Sequence, residues 1–123
     1  IDDIIYGRGD YTYEGGYTAA IHMLRDPNTR PDAIFCANDI MALGAIDAAR
    51  ELNLHIPYDV SIVGFDDIPM AGGGAYNLTT VSQEVDAMIA ATVELLLAKI
   101  DDPTSPPEVR YIPGELVRRG SVR

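Results

Sequence analysis

Cysteine is almost absent from this sequence of 123 residues, which contains Cys36 alone. A single cysteine cannot form an intrachain disulfide, and a reducing compartment is consistent with that. Cys36 lies within an apolar run, where a free cysteine usually behaves as a small buried hydrophobic residue. We therefore expect a structural thiol and not a reactive one.

Basic residues are also scarce. The sequence has 9 lysine and arginine residues against 19 aspartate and glutamate residues, a net charge of −10. Nucleic-acid binding requires a basic surface that displaces counterions. The final segment VRRGSVR is locally basic, but within such an acidic chain it indicates a solvated strand end. We expect this stretch of chain not to contact DNA.

Long apolar runs and leader features are missing as well. No apolar run approaches the ~20 residues of a membrane span, so no membrane contact is expected. The start, IDDIIYGRGD, has neither the basic nor the apolar region of a signal peptide. It also lacks an initiator methionine, which suggests a piece of a longer protein. In that case the missing leader decides nothing about export.

The chain length suits one compact unit with little room for a second domain. Apolar runs of strand length alternate with segments whose apolar residues recur at helical spacing. This rhythm predicts an α/β fold with a parallel sheet flanked by helices. We predict strands at 2–7, 32–37 and 60–65, a short extended piece at 78–83, and extended chain near 109–119. We predict helices after a Thr12 N-cap, at 39–53 and at 84–100.

Polar residues follow two of the buried strands. Asn38 and Asp39 come after the second strand, and Asp66 and Asp67 after the third. Ligands of open parallel sheets bind outside the carboxyl ends of the strands. A carboxylate accepts hydroxyl protons and an amide both donates and accepts, which suits adjacent sugar hydroxyls. The alternative is that these residues merely form an N-cap and a turn.

An ordered set of motifs then identifies a family. The segment PDAIFCANDIMALGAIDAARELNLHIPYDVSIVGFDDIP, followed by LTTVSQ and by ELVRRGSV, resembles the effector-binding domain of LacI/GalR transcription regulators. The resemblance implies a type I periplasmic-binding-protein fold of two lobes, with a sugar-like effector in the cleft between them. It assigns residues 1–83 to the C-terminal lobe, 84–112 to a helix and strand of the N-terminal lobe, and 113–123 to the C-terminal lobe again. The DNA-binding headpiece and most of the first lobe lie outside these segments.

The resemblance also implies roles for single residues. Asn38 and Asp66 would hydrogen-bond the effector, and Tyr11, in GDYTYEGG, would supply an aromatic wall. Val85 and Met88 would line the cleft more loosely. The chain departs from the family pattern at Asn77, where a proline usually precedes Leu-Thr-Thr, and in the AGGG segment before it, which replaces bulkier residues.

Other function classes find less support in the residues. The carboxylates of Asp39, Asp66 and Asp67 suit glycoside hydrolysis or a magnesium site, but no histidine or nucleophile accompanies them. His22 and His55 lack a second ligand at metal spacing. The Arg-Gly-Asp tripeptide at 8–10 is short enough to occur by chance. We therefore expect neither an enzyme nor a metal or cofactor site.

Two alternative functions remain: a cytoplasmic transcription regulator, and a periplasmic sugar-binding protein of a transport system. In the helix after Asn38, one apolar stripe suits the sheet, and a second stripe of Ala42, Leu43 and Ile46 predicts a dimer interface. A homodimer favours the regulator, because regulators dimerise to match palindromic operators. DNA would then be contacted only through the headpiece. The helix at 84–100 also carries a broad apolar face that must be covered.

Overall fold

The computed structural model describes residues 4–123 and contains three α-helices and four strands within them. In chain order these are α1 (Tyr13–Leu24), β1 (Ala33–Phe35), α2 (Asp39–Glu51), β2 (Ser61–Asp66), β3 (Thr79–Ser82), α3 (Val85–Asp101) and β4 (Leu116–Val117). A single 3-10 turn, Pro69–Gly72, lies between β2 and β3. None of these helices is long and apolar enough to cross a membrane.

The strands form one sheet in the order β1-β2-β3-β4. The first three strands are parallel and β4 runs antiparallel to β3. Phe35 of β1 is paired with Val63 of β2, and Asp66 at the end of β2 is paired with Ser82. The predicted α/β class with a parallel sheet is confirmed, and the helix predicted at 39–53 ends two residues earlier.

Helices α1 and α2 pack against each other at unusually short range. Thr12 caps α1 as predicted, since its hydroxyl accepts from the Gly15 N–H at 3.0 Å. A Cβ at Gly16 would lie 2.3 Å from the Met41 carbonyl oxygen, and a Cβ at Gly44 would lie 2.3 Å from that of Tyr13. Only glycine lets the two backbones approach so closely. The Met41 side of α2 is therefore covered by α1.

The opposite side of α2 lies on the sheet, which corrects the predicted dimer interface. Ala42, Leu43 and Ile46 are all buried within this chain, and Leu43 is only 1% exposed. Asp39 lies on the same helical face as Ala42 and Ile46, and it hydrogen-bonds Thr80 of β3. The stripe therefore has its partner within the chain. Helical spacing correctly gave two apolar faces, but it could not say that α1 and the sheet would cover both.

Two compact units make up the chain, so the single unit expected from its length is wrong. The smaller unit is Gln83–Glu115, and the larger runs to Ser82 and resumes at Leu116–Arg123. In the smaller unit, no residue of α3 is buried. The apolar face of α3 is therefore exposed within this chain, because no second layer of this unit closes over the helix, and the cover expected for it stays a prediction.

Two extended segments also differ from prediction. Residues 4–7 of the predicted first strand are not in a strand, and residues 2–3 lie outside the described residues. Of the extended chain predicted near 109–119, only Leu116–Val117 pairs with a neighbour. A β-prone run becomes a strand only where a neighbouring strand takes its ladder hydrogen bonds, which composition alone does not provide.

Candidate functional site

Asn38 and Asp66 come to the same edge of the sheet. Asn38 lies three residues beyond Phe35, and Asp66 lies three residues beyond Val63, with which Phe35 is paired. Because β1 and β2 are parallel neighbours, equal distances beyond a paired position lead to the same end of the sheet. Both residues are half-buried. This edge, at the carboxyl ends of β1 and β2, is the candidate site.

Asn38 has two hydrogen-bonding tasks there. Its Oδ1 accepts from the Met41 N–H at 2.9 Å and so caps α2, while its Nδ2 donates to the Tyr11 carbonyl oxygen at 3.2 Å. The N-cap role considered from sequence is therefore confirmed for Asn38, and it does not use all of the hydrogen-bonding groups of the amide. An amide has two N–H donors and two acceptor lone pairs, so capacity for a ligand remains. The effector contact of Asn38 stays a prediction.

Tyr11 is held beside Asn38 by its backbone. Its φ of 64° lies in the left-handed region, which is uncommon for a residue with a side chain. The next residue is fixed by Asp10, whose Oδ1 accepts from the Thr12 hydroxyl at 2.6 Å and from the Thr12 N–H at 3.1 Å. These hydrogen bonds lower the pKa of Asp10. The Tyr11 side chain is 69% exposed, so its ring is available as a contact surface.

The turn after β2 has a strained backbone. Asp66 and Asp67 have φ values of 124° and 56°, regions that residues other than glycine seldom adopt. The Asp67 carboxylate pairs with Arg119, at 2.7 Å between Oδ1 and Nη2. The same guanidinium donates to the Leu78 carbonyl oxygen at 2.9 Å. Asp67 is thus engaged within the protein by Arg119.

Asp39 lies beneath the site and not on its rim. Its carboxylate is fully buried and accepts from the Thr80 hydroxyl at 2.6 Å and from the Ile68 N–H at 2.9 Å. Gly64 of β2 leaves room for it, since a Cβ there would lie 2.1 Å from Asp39 Oδ1. This position removes Asp39 from the catalytic carboxylate pair considered from sequence, because a fully buried carboxylate cannot reach a substrate.

Val85 and Met88 belong to the smaller unit. Val85 is the first residue of α3 and Met88 lies about one turn later; they are 56% and 42% exposed. Their predicted role in lining a cleft stays a prediction.

A cavity of about 710 Å³ lies next to Tyr11 but is not lined by Asn38 or Asp66. Its walls are mainly apolar and include Cys36 and Met41. Burial raises the pKa of the Cys36 thiol to about 12, with a smaller contribution from the Asp39 charge, so the thiol stays protonated and unreactive. An apolar cavity offers few partners for hydroxyl groups, so we place the site at the strand ends.

No group of three or more metal-ligating side chains occurs among residues 4–123. The residues that sequence reasoning missed are Thr80, Ile68 and Arg119, which hold the rim in place. Their signal was present in segments that carried the resemblance: Thr80 in Leu-Thr-Thr, Arg119 in Leu-Val-Arg-Arg and Ile68 in Phe-Asp-Asp-Ile-Pro. It could not be interpreted, because their partners lie far away in the sequence.

The comparisons with known proteins agree with this architecture. The family model for the periplasmic binding protein-like domain matches residues 2–122. The HTH-type transcriptional regulator MalR of Streptomyces coelicolor is 47% identical over 111 residues, which are 90% of this chain and 31% of MalR. The chain therefore spans about a third of the length of this curated relative.

Two solved structures show the same fold with ligands. A LacI family transcriptional regulator from Lactobacillus casei with bound sucrose has a TM-score of 0.76 and 31% identity, over 91% of this chain and 41% of that chain. One from Enterococcus faecium with bound ribose has a TM-score of 0.81 and 28% identity, over 96% and 43%.

These relatives are transcriptional regulators and not enzymes, in agreement with the sequence analysis. Sheet order, strand-end polar residues and family match lead to one assignment. The chain belongs to the periplasmic binding protein-like domain family, in the form found in LacI-family transcriptional regulators.

Proposed function

We propose that this chain is part of the effector-binding domain of a bacterial DNA-binding transcription regulator, and that its effector is a sugar. One observation carries the proposal: Asn38 and Asp66 lie at equal distances beyond a paired position of two parallel strands. An amide and a carboxylate at one sheet edge, with the exposed residue Tyr11 hydrogen-bonded to Asn38 through its backbone, suit the hydroxyl groups and apolar faces of a sugar. The regulators solved with sucrose and ribose support the ligand class.

The proposal includes the smaller unit. We assign α3 to the other lobe of a two-lobed domain, with Val85 and Met88 facing the effector. The lobe boundaries expected from sequence, 83/84 and 112/113, lie within three residues of the ends of this unit. The exposed apolar residues of α3 support this assignment, since a helix of this composition needs a covering layer. The chain spans about a third of its curated relatives, so the covering segments would come from the rest of the intact protein.

In the intact regulator, effector binding would change the operator affinity of a separate helix-turn-helix headpiece, and the protein would act in the cytoplasm. The net charge of −10 supports DNA contact through the headpiece and not through this stretch. A homodimer is part of the proposal, because operator half-sites are bound by two-fold symmetric proteins. Ala42, Leu43 and Ile46 play no part in that dimer, since they are buried within one chain.

The alternative is a periplasmic sugar-binding protein of a transport system with the same fold. The relatives named above are transcriptional regulators, which favours the regulator.

The test is effector binding by the intact regulator, measured by titration calorimetry with sucrose and ribose. Asp66→Asn keeps the side-chain shape and removes the charge, so the affinity for the bound sugar should fall by ~1 to 3 kcal/mol, the range for a charge-assisted hydrogen bond. Asp32→Asn is the matched control, because Asp32 precedes β1 and so lies at the opposite end of the strand. Unchanged affinity in Asp66→Asn would refute the site.

A further inference from the structure

The backbone of Asp66 and Asp67, at the candidate site, has a strained conformation that needs stabilising contacts. Asp66 and Asp67 both have positive φ, at 124° and 56°, and neither is glycine. Such residues persist where surrounding contacts over-determine the backbone, and they concentrate at functional sites. Residues that contact this turn can therefore position Asp66 without touching the ligand.

The first contact to the turn is made by the buried carboxylate of Asp39, in the first turn of α2. Asp39 accepts from the Ile68 N–H, two residues after Asp66, and from the Thr80 hydroxyl of β3. The carboxylate is fully buried, and both of its oxygens are used. It thus ties the end of the turn to the neighbouring strand and to the N-terminus of α2, where Asn38 is the cap. One buried group connects the backbone next to both predicted effector contacts.

The second contact to the turn is made by the guanidinium of Arg119, two residues after β4. Arg119 pairs with the Asp67 carboxylate, and its other terminal nitrogen donates to the Leu78 carbonyl oxygen. Its backbone N–H donates to the Thr79 hydroxyl at 2.8 Å. The guanidinium is planar and rigid, so binding two fixed acceptors sets the position of Asp67 relative to β3. Both residues that follow Asp66 are therefore anchored: Asp67 through its side chain and Ile68 through its backbone N–H.

We propose that Asp39 and Arg119 are positioning residues that hold the Asp66–Asp67 turn in its strained form, and that effector affinity depends on them. This inference rests on the proposed function, because it assigns to the turn the presentation of the Asp66 carboxylate to the sugar. Neither residue contacts the effector. Their shared target is the backbone and side chain on the C-terminal side of Asp66, which is what a positioning role requires.

The experiment compares Asp39→Ala with Asp39→Asn in the intact regulator. Asparagine can keep both contacts: its oxygen accepts from the Ile68 N–H, and its amide donates to the Thr80 hydroxyl, which also accepts. Alanine leaves both partners without an acceptor. Affinity for sucrose or ribose, whichever the wild type binds, should fall about tenfold or more in Asp39→Ala and be largely restored in Asp39→Asn.

A second readout needs no ligand. Hydrogen exchange at the Ile68 amide should accelerate in Asp39→Ala and return toward the wild-type rate in Asp39→Asn. Ser121→Ala is the matched control for general destabilisation. Its buried hydroxyl accepts from the Thr79 N–H and donates to the Ile62 carbonyl oxygen, away from the turn. It should lower stability without accelerating Ile68 exchange selectively.

The Arg119 contact is tested by a double-mutant cycle with Arg119→Met and Asp67→Ala, since asparagine at 67 would keep an oxygen that accepts from Arg119. Each single variant should weaken sugar binding, and the double variant should be no weaker than the worse single variant, since all three lose the same contact. If Asp39→Ala fails to fold, this cycle decides: a folded Arg119→Met variant with wild-type affinity would overturn the inference.

The remaining outcomes separate the inference from the proposed function. If Asp66→Asn weakens binding but Asp39→Ala binds as well as Ser121→Ala does, the function stands and the positioning role is wrong. If the wild type binds neither sugar, the proposed ligand class fails, and the Ile68 exchange rates then decide the positioning role. Equal exchange in wild type and Asp39→Ala would overturn it.

Discussion

Helices α2 and α3 have similar compositions and opposite environments. Both are rich in alanine and aliphatic residues, and α3 carries more of the large ones. Yet almost all of α2 from Ala42 to Ala49 is buried, whereas no residue of α3 is. The difference lies in the neighbours, because α2 has α1 on one face and the sheet on the other. Apolar composition creates the need for cover, and only the topology of the surrounding chain meets it.

The two helices therefore mark two kinds of unit. The larger unit has a closed core of buried apolar residues with hydrogen-bonded polar groups beside it. The smaller unit presents Ile89, Leu96, Leu97 and Ile100 to solvent. Exposed apolar surface of this extent usually marks an interaction face. This is why we assign α3 to a lobe completed by other parts of the intact protein.

The largest predicted effect compares one leucine from each helix in the 123-residue chain. Leu43→Ala should lower the free energy of unfolding by ~2 to 5 kcal/mol, since it opens a cavity in a packed core. Leu96→Ala should change it by no more than about 0.5 kcal/mol, because Leu96 is 58% exposed. Urea unfolding followed by circular dichroism measures both.

Equal losses in the two variants would show that α3 is as well packed as α2, and the comparison would be wrong. The same pair in the intact regulator sharpens it. There the cost of Leu96→Ala should rise towards that of Leu43→Ala, because the proposed first lobe would cover α3.

A smaller effect is expected where α1 meets α2. Gly16→Ala places a Cβ 2.3 Å from the Met41 carbonyl oxygen and 2.5 Å from its Cα, so the two helices must move apart. We expect a loss of ~1 to 3 kcal/mol, partly offset by the better helix propensity of alanine. Gly74→Ala is the control, because no atom lies within 4 Å of its added Cβ. A Gly16→Ala variant as stable as Gly74→Ala would contradict the close contact, as judged by thermal unfolding.

Much of this fold could be predicted from local sequence. The start of α2 at residue 39, the Thr12 cap and the parallel order of the buried strands all follow from spacing, capping residues and β-branched runs. The covering partner of Ala42, Leu43 and Ile46 could not be predicted, because periodicity gives the direction of a face and not what lies opposite. The predicted first strand failed for a similar reason, because a β-prone run does not show whether a neighbouring strand lies beside it.

The candidate site divides in the same way. The position of Asn38 and Asp66 at one sheet edge could be predicted, because each follows a buried strand of a parallel sheet and local patterns reveal those strands. The buried carboxylate of Asp39 and the Arg119–Asp67 pair were not foreseen as supports of the turn. Arg119 and Asp67 are 52 residues apart, and Asp39 and Thr80 are 41 apart. Contacts of this range are set by the tertiary fold and leave no local pattern in the sequence.

The smallest effect concerns the smaller unit, where polar contacts at the surface accompany exposed apolar residues. Arg110 pairs with Glu94 at 2.6 Å and with Glu108 at 2.8 Å. The hydrogen bond from Arg110, followed by its charge, lowers the pKa of Glu94. A lowered pKa in the folded state means that the pair stabilises the unit above the unfolded pKa and loses this effect as pH falls through the folded value.

Glu94→Gln should therefore reduce the helical signal of α3 slightly at neutral pH and not at all well below about pH 4. Because Glu94 is exposed, the reduction should also vanish in about 1 M salt. Circular dichroism of the wild type and the variant across pH and salt measures it. A loss that persists in acid and in high salt would mean that Glu94 acts through packing, and that α3 is less exposed than its comparison with α2 implies.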